Sequence, residues 1–304
     1  MKRYKVLFVY NPEAGNGLIR NNLDEIIDKF QRKKLQVVPF RTEKKEALND
    51  VFAQMDPTEY KKVVVAGGDG TINTVVNGMI RNKVDLPLAI FPCGTANDFA
   101  YYFDLPMELK GMIKVATEEN YTYADVGQVN SKYFINVAAM GFLVDVSQKT
   151  DPNIKSTLGV LSYYLRGLGE LPNLKPIPVQ ISSEEYTSTD NIYFMLVMNG
   201  RSAGGFKKIA PRASINDGKL DVVIFKEMPI MELMPLLVSV MTGNHTENKN
   251  VVSFSTDRLI IDSDQHIGTD IDGEKGSELP LDIRVLHNRI RINTVNKNME
   301  GSIW

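Results

Sequence analysis

The first 120 or so residues alternate between short apolar runs and stretches where apolar positions return every three or four residues. Lys5–Tyr10 (KVLFVY) is a continuous apolar run, and Leu18–Lys34 follows it with Leu23, Ile26, Ile27 and Phe30 at helical spacing. Leu35–Phe40 (LQVVPF) is the next run and Lys44–Met55 the next helical stretch. Lys61–Gly68 (KKVVVAGG), Thr71–Arg81 and Leu86–Pro92 (LPLAIFP) continue the series. Strands that are apolar throughout bury both faces, so this β-α-β-α order predicts a parallel sheet covered by helices on both sides. After about Tyr121 the texture changes. Tyr121–Gly141 reads as two strands joined by a turn at Asn130-Ser131, and a helix is expected over Thr157–Leu171. Beyond it, PVQISS, YFMLVMNG, KLDVVIF, RLIIDS and IRVLHNRIRINTV are strand-like runs separated by Gly, Asn and Asp, with one further helix over Met231–Met241. The expected fold class is α/β. A parallel-sheet α/β domain over residues 1–127 precedes a mostly antiparallel, sandwich-like β-rich domain over residues 128–304, whose last ~15 residues return to the first domain.

Composition narrows the function classes. Of 304 residues, 43% are hydrophobic and 24% charged, which excludes a disordered chain or a fibre. Lys plus Arg number 35 and Asp plus Glu 37, balanced in both halves, so neither half is a basic nucleic-acid module. The single cysteine, Cys93, excludes an internal disulfide and a cysteine-built zinc site. The run Val6–Tyr10 is too short for a signal peptide, and no segment reaches the ~18 apolar residues of a membrane helix. The expected location is therefore cytoplasmic or peripheral to a membrane. His245, His266 and His287 lack metal-ligand spacing, and solvated or capping roles are expected for them.

Three glycine-bearing turns follow strands. Asn11-Pro-Glu-Ala-Gly-Asn-Gly17 begins like a dinucleotide fingerprint but has Arg20 at the third glycine position, and Arg41 at the end of the second strand leaves an NADP-binding oxidoreductase open. Ala66-Gly67-Gly68-Asp69-Gly70-Thr71-Ile72-Asn73 is more specific. Adjacent glycines admit close backbone approach, and the following helix points N–H groups at the same space, favouring phosphate. Asp69 either caps that helix or meets phosphate through Mg²⁺. In the third turn, Pro92-Cys-Gly-Thr-Ala-Asn-Asp98, Asn97 or Asp98 caps a short helix beginning near Phe99, or Asp98 joins Asp69 at one metal.

The second half carries Asp270-Ile-Asp272-Gly-Glu274. In an extended strand these three carboxylates share a face, unless Gly273 bends the chain and re-aims Glu274, and crowding suits a proton acceptor; a solvated acidic turn is the alternative. Ser214-Ile-Asn-Asp217-Gly-Lys219 reads as a hairpin turn. Met228, Met231, Met234 and Met241 suit core packing or contact with lipid tails, and Lys207-Lys208 is a solvated pair or a headgroup contact.

The order of NPEAG, GGDGTINTVVNG and PCGTANDFA resembles the diacylglycerol kinase catalytic family, in its soluble bacterial lipid-kinase branch, with similarity over nearly the whole chain. GGDGT alone is shared with NAD kinases. The resemblance implies an ATP-dependent lipid kinase converting diacylglycerol to phosphatidic acid, with ATP and Mg²⁺ as cofactors and ATP lying between the domains. It places nucleotide contacts at Asn11, Pro12, Glu13, Ala14, Gly15, Thr42, Gly67, Gly68, Asp69, Gly70, Thr71, Ile72, Asn73 and Thr95. Catalytic roles fall to Glu274 as general base and to Asp69 and Asp98, and a structural Mg²⁺ to Ser214, Asp217 and Lys219. Glu13-Ala14 and Ala96 depart from the family, which often has a small or hydroxylic pair and a glycine there. The implied partner is a lipid at a membrane surface, with no nucleic acid and with homodimerisation left open. Other readings are a kinase for a sphingoid base, another glycerolipid or NAD, the NADP oxidoreductase, and a nucleotide sensor without turnover.

Overall fold

Val63, Val64, Val65 and Ala66 are wholly buried in β3 (Tyr60–Gly67), as a strand covered on both faces requires. β1 (Tyr4–Tyr10), β2 (Leu35–Arg41) and β4 (Leu88–Pro92) complete a parallel sheet in the order β2-β1-β3-β4. The computed structural model describes residues 4–42, 45–141, 144 and 175–295, so the helix expected over Thr157–Leu171 lies outside the described residues. The chain forms two units, Met1–Ala124 with Asn288–Trp304, and Asp125–His287.

In the first unit the expected first helix is broken into α1 (Leu18–Asn21) and α2 (Leu23–Arg32), because the Asn22 side chain donates to the Leu18 carbonyl at 2.8 Å. α2 buries Ile26 and Phe30 against Phe8 and Val64. α3 (Lys45–Gln54), α4 (Asp69–Arg81), α5 (Asp98–Tyr102) and α6 (Leu109–Thr117) follow. Strand order runs outward from β1 in opposite directions, to β2 on one side and β3 on the other. A crevice opens at the carboxyl ends where such a sheet reverses direction, and ligands bind there.

The second unit is antiparallel. β5 (Tyr121–Val129) turns at Asn130, as expected, into β6 (Lys132–Phe134); the strand then breaks and resumes as β7 (Val137–Gly141). β8 (Ile177–Ser183), β9 (Thr187–Met198), β10 (Leu220–Lys226), β11 (Val251–Thr256), β12 (Arg258–Asp262), β13 (Thr269–Ile271), β14 (Glu274–Lys275) and β15 (Leu281–Asn293) follow. The long β9 pairs with β8 along its first half and with β7 and β10 along its second. Side chains alternate across a strand, so Met195 and Val197 enter one core with Val222 and Ile224. Phe194, Leu196 and Met198 enter a second core, with Val223 and Phe225, covered by α7 (Ile230–Thr242). Met228 belongs to that core. Met231 and Met241 do not: they are exposed, against the expectation of core packing.

Candidate active site

The three glycine turns meet at the carboxyl ends of β1, β3 and β4. Across the reversal point, Asn11 donates its N–H to the Ala66 carbonyl at 2.9 Å, and Thr42, just past β2, donates its own to Tyr10 at 2.9 Å. Cys93 continues the ladder with an N–H bond to Gly67 at 2.9 Å. The second and third turns touch backbone to backbone. A Cβ on Gly94 would fall 2.5 Å from the Gly68 Cα, so no larger residue fits without separating the turns. The first turn lies against the third, since a Cβ on Gly15 would meet that of Cys93 at 3.3 Å. Burial pushes the Cys93 thiol up to about 11, which keeps it protonated and unreactive at neutral pH.

Within the first turn, the Asn11 side chain accepts the Glu13 N–H at 3.0 Å, Pro12 is buried, and Gly15 (φ 59), Asn16 (φ 53) and Gly17 (φ 75) take the left-handed conformation. Glu13 is exposed and ion-paired with Arg20 at 3.6 Å, which offsets an acidic charge beside a phosphate-seeking loop. In the second, Gly68 is the cap residue of α4 and carries no side-chain cap. Asp69 opens that helix but caps another: its Oδ1 accepts the Phe99 N–H of α5 at 3.1 Å. Asn97 stands at the cap position of α5, but its side chain makes no cap bond there. Asn97 instead staples the third turn, with Oδ1 accepting the Gly94 N–H at 2.8 Å and Nδ2 donating to the Gly94 carbonyl at 2.9 Å. Asp98 is buried on the first turn of α5, next to the residue that Asp69 holds. Gly70 and Thr95 are exposed, and Thr71 is half-buried. Ile72 is wholly buried, and the amides of Thr71 and Ile72 both bond to the Gly68 carbonyl. Asn73 is buried and accepts the Asn77 amide at 2.7 Å.

Glu274 and the Ser214–Lys219 segment belong to the second unit. The expected extended run over Asp270–Glu274 is instead a two-residue hairpin. Asp272 (φ 50) and Gly273 (φ 85) form the tight turn, and Ile271 pairs with Glu274. The three acids therefore do not share a strand face. Asp270 accepts the Gly273 N–H at 2.7 Å. The Asp272 carboxylate accepts three backbone N–H groups, from Ile135 at 2.7 Å, Asn136 at 3.0 Å and Val137 at 2.9 Å. Those three residues are where the strand breaks between β6 and β7. Glu274 is the exposed member of the trio.

In the other segment, no strand precedes the expected hairpin turn; the residues form a loop leading into β10. The Asp217 carboxylate accepts the Lys219 N–H at 3.0 Å, and the Ser214 hydroxyl donates to Asn216 at 2.9 Å. The neighbouring Gly218 N–H bonds to Asp125 at 2.7 Å, and Asp125, wholly buried, also meets His287 Nδ1 at 2.9 Å. Asp221 lies close by. Burial pushes its carboxyl above the usual range, and the charge of Asp217 adds to the push. No group of three or more His, Cys, Asp or Glu side chains is assembled for a metal among the described residues. His287 is thus paired with Asp125 while its side chain stays 51% exposed. His245 is buried, donates Nε2–H to the Ile209 carbonyl at 2.8 Å and stacks on Phe225.

A parallel sheet with three glycine turns and two aspartates at the carboxyl ends of its strands, followed in the chain by a β-rich unit, has the form of a nucleotide-binding enzyme. Residues 5–129 match the diacylglycerol kinase catalytic domain, and residues 136–294 match the YegS C-terminal NAD kinase beta sandwich-like domain. The chain belongs to the diacylglycerol kinase family. It is 31% identical to a diacylglycerol kinase of Staphylococcus saprophyticus subsp. saprophyticus over 98% of each chain. A Bacillus subtilis diacylglycerol kinase is 31% identical over 96% of each. The crystal structure of a diacylglycerol kinase from Bacillus anthracis str. Sterne superposes with a TM-score of 0.77 at 26% identity, covering 97% of this chain and 98% of that one. A kinase of this family uses ATP, which sets aside the NADP oxidoreductase. No helix among the described residues is long and apolar enough to cross a membrane.

Proposed function

We propose that this enzyme transfers the γ-phosphoryl group of ATP, as its Mg²⁺ complex, to the free hydroxyl of diacylglycerol, giving phosphatidic acid and ADP. The observation that carries the reading is the meeting of three glycine turns at the carboxyl ends of β1, β3 and β4, with Asp69 and Asp98 beside them. Phosphoryl transfer spreads negative charge over the equatorial oxygens, and preorganised backbone N–H groups stabilise that charge. The exposed start of α4 at Gly70 supplies such groups, because the first N–H groups of a helix have no partner within it, while the other two turns bring their backbones alongside.

Mg²⁺ is commonly held by one or two carboxylates together with substrate phosphates and water, not by an all-protein cage. Asp69 and Asp98 fit that donor set, and Mg²⁺ bound there would neutralise charge on the β- and γ-phosphates. Asp217, with the carbonyls of Ser214 and Lys219, fits a second, structural Mg²⁺. Glu274 accepts the proton of the acceptor hydroxyl as its oxygen bonds to the γ-phosphorus and the bond to the departing ADP breaks.

The test is transfer of labelled γ-phosphate from Mg²⁺-ATP to diacylglycerol in mixed micelles, with a sphingoid base and NAD as parallel acceptors. Labelled phosphatidic acid supports the reading. Product only from another acceptor would overturn it.

A further inference from the structure

One face of α7 does not follow the rule for surface helices. Leu233, Leu236 and Val240 are buried against Val223, Phe225, Met228 and Val251. A helix packed on one side normally turns charged residues to water on the other. Here the opposite side carries Met231, Val238 and Met241, which are 89%, 60% and 67% exposed, together with exposed Pro235. The only ionisable residue in the helix is Glu232.

A second observation says what covers this face. Gly243 ends the helix, and a Cβ there would meet the Lys208 Cβ at 3.3 Å and the Pro211 Cγ at 3.4 Å, so the loop of residues 201–212 packs on the helix end. That loop carries Arg201, Lys207, Lys208 and Arg212 and no acid. Lys208 and Arg212 are exposed, and neither forms an ion pair among the described residues. An apolar helical face beside an acid-free basic loop has the chemistry of a surface that lies in the headgroup layer of an anionic bilayer.

We propose that α7 and the 201–212 loop dock the enzyme on anionic lipid, with Met231, Pro235, Val238 and Met241 entering the acyl boundary and Lys208 and Arg212 meeting headgroup phosphates. A second copy is the other conceivable occupant. Of the helix's own residues, a second copy offers each basic loop only Glu232 as a counter-charge, whereas anionic headgroups supply one for every cation. The purpose of docking rests on the lipid-acceptor reading, but binding is measured without turnover, so the two fail in different assays.

The experiment is flotation of the full chain with phosphatidylcholine vesicles and with phosphatidylcholine vesicles containing phosphatidylglycerol. Wild type should float with the anionic vesicles, less so as salt rises. Met231→Gln with Met241→Gln should weaken binding by about tenfold for each methionine withdrawn from the apolar boundary. Lys208→Gln with Arg212→Gln should weaken it about fivefold per charge and flatten the salt dependence. These positions are exposed, so unchanged circular dichroism and unchanged activity on a water-soluble short-chain diacylglycerol are expected of all four substitutions. Wild type that stays unbound, or variants that float as well as wild type, would overturn the proposal. So would a dimer in vesicle-free buffer that Met231→Gln with Met241→Gln converts to monomer.

Discussion

Replacing Asp272 by Asn withdraws one charge and one acceptor while leaving the backbone at ease, because Asn tolerates the left-handed φ of 50 that this turn imposes. The better amide orientation keeps its oxygen on the Asn136 and Val137 N–H groups. Its NH₂ then faces the Ile135 N–H, which had bonded to the carboxylate at 2.7 Å. Ile135 is wholly buried, so that amide has no water to turn to. One stranded buried N–H costs ~2 kcal/mol, and loss of charge from the two surviving bonds about 1 kcal/mol each, together about 4 kcal/mol. For a unit of this size that lowers the Tm by roughly 8–16 °C. Thermal melting followed by circular dichroism measures the loss, and amide hydrogen exchange at residues 135–137 locates it. A loss below about 1 kcal/mol, with protection at Ile135 intact, would refute the assignment of Asp272 as the anchor of this hairpin.

Glu274→Gln should lower kcat by about 10²–10⁴ with melting unchanged, since the side chain is exposed; labelled-phosphate turnover reads the first and calorimetry the second. Gly94→Ala should cost ~1–3 kcal/mol and raise the KM for ATP, because the new methyl meets the Gly68 Cα; full activity would show that the turns separate freely. Lys62, buried in β3 with its ammonium donating to the carbonyls of Ala116 and Glu118, has its pKa pulled down from 10.5 to about 8, first by burial and then by the charge of Lys61. At pH 7 both folded and unfolded chains hold this proton, and the fold bears the whole cost. Between about 8 and 10.5 the unfolded chain binds the proton more tightly, so the fold gains up to about 3 kcal/mol as pH rises through that window. The Tm difference between wild type and Lys62→Met should therefore shift in favour of wild type from pH 7.5 to 10, and a flat difference would remove Lys62 as the cause.

The parallel half was readable because its strands are local statements. Val63 to Ala66 are apolar in sequence and buried in the sheet, and the glycine turns follow β1, β3 and β4 as the alternation requires. α6 escaped notice although Leu109, Met112, Ile113 and Ala116 stand at helical spacing, because Gly111 interrupts the pattern. The break between β6 and β7 was not readable at all. Its cause is a carboxylate 135 to 137 positions away, and no local pattern at Ile135-Asn136 announces it. The capping of α5 by Asp69 is hidden for the same reason, a bond spanning 30 residues.

The hairpin at Asp272-Gly273 did leave a signal, since Asp-Gly between strand-forming residues is the mark of a tight two-residue turn. Reading it as a turn changes the chemistry argued for its acids. In a straight strand, three aligned carboxylates would repel one another, and any of them could take up a proton. In the hairpin the roles divide by geometry. Asp270 spends an oxygen on the turn amide of Gly273, and Asp272 spends both oxygens on the broken strand, so both are engaged by backbone N–H donors. A carboxylate whose oxygens are engaged by backbone N–H groups has fewer lone pairs to offer a substrate hydroxyl. Glu274 stands at the exposed end of the same hairpin, on a strand fixed by the other two. The fold thus uses two acids to position a third, and that supports Glu274 over its neighbours as the general base.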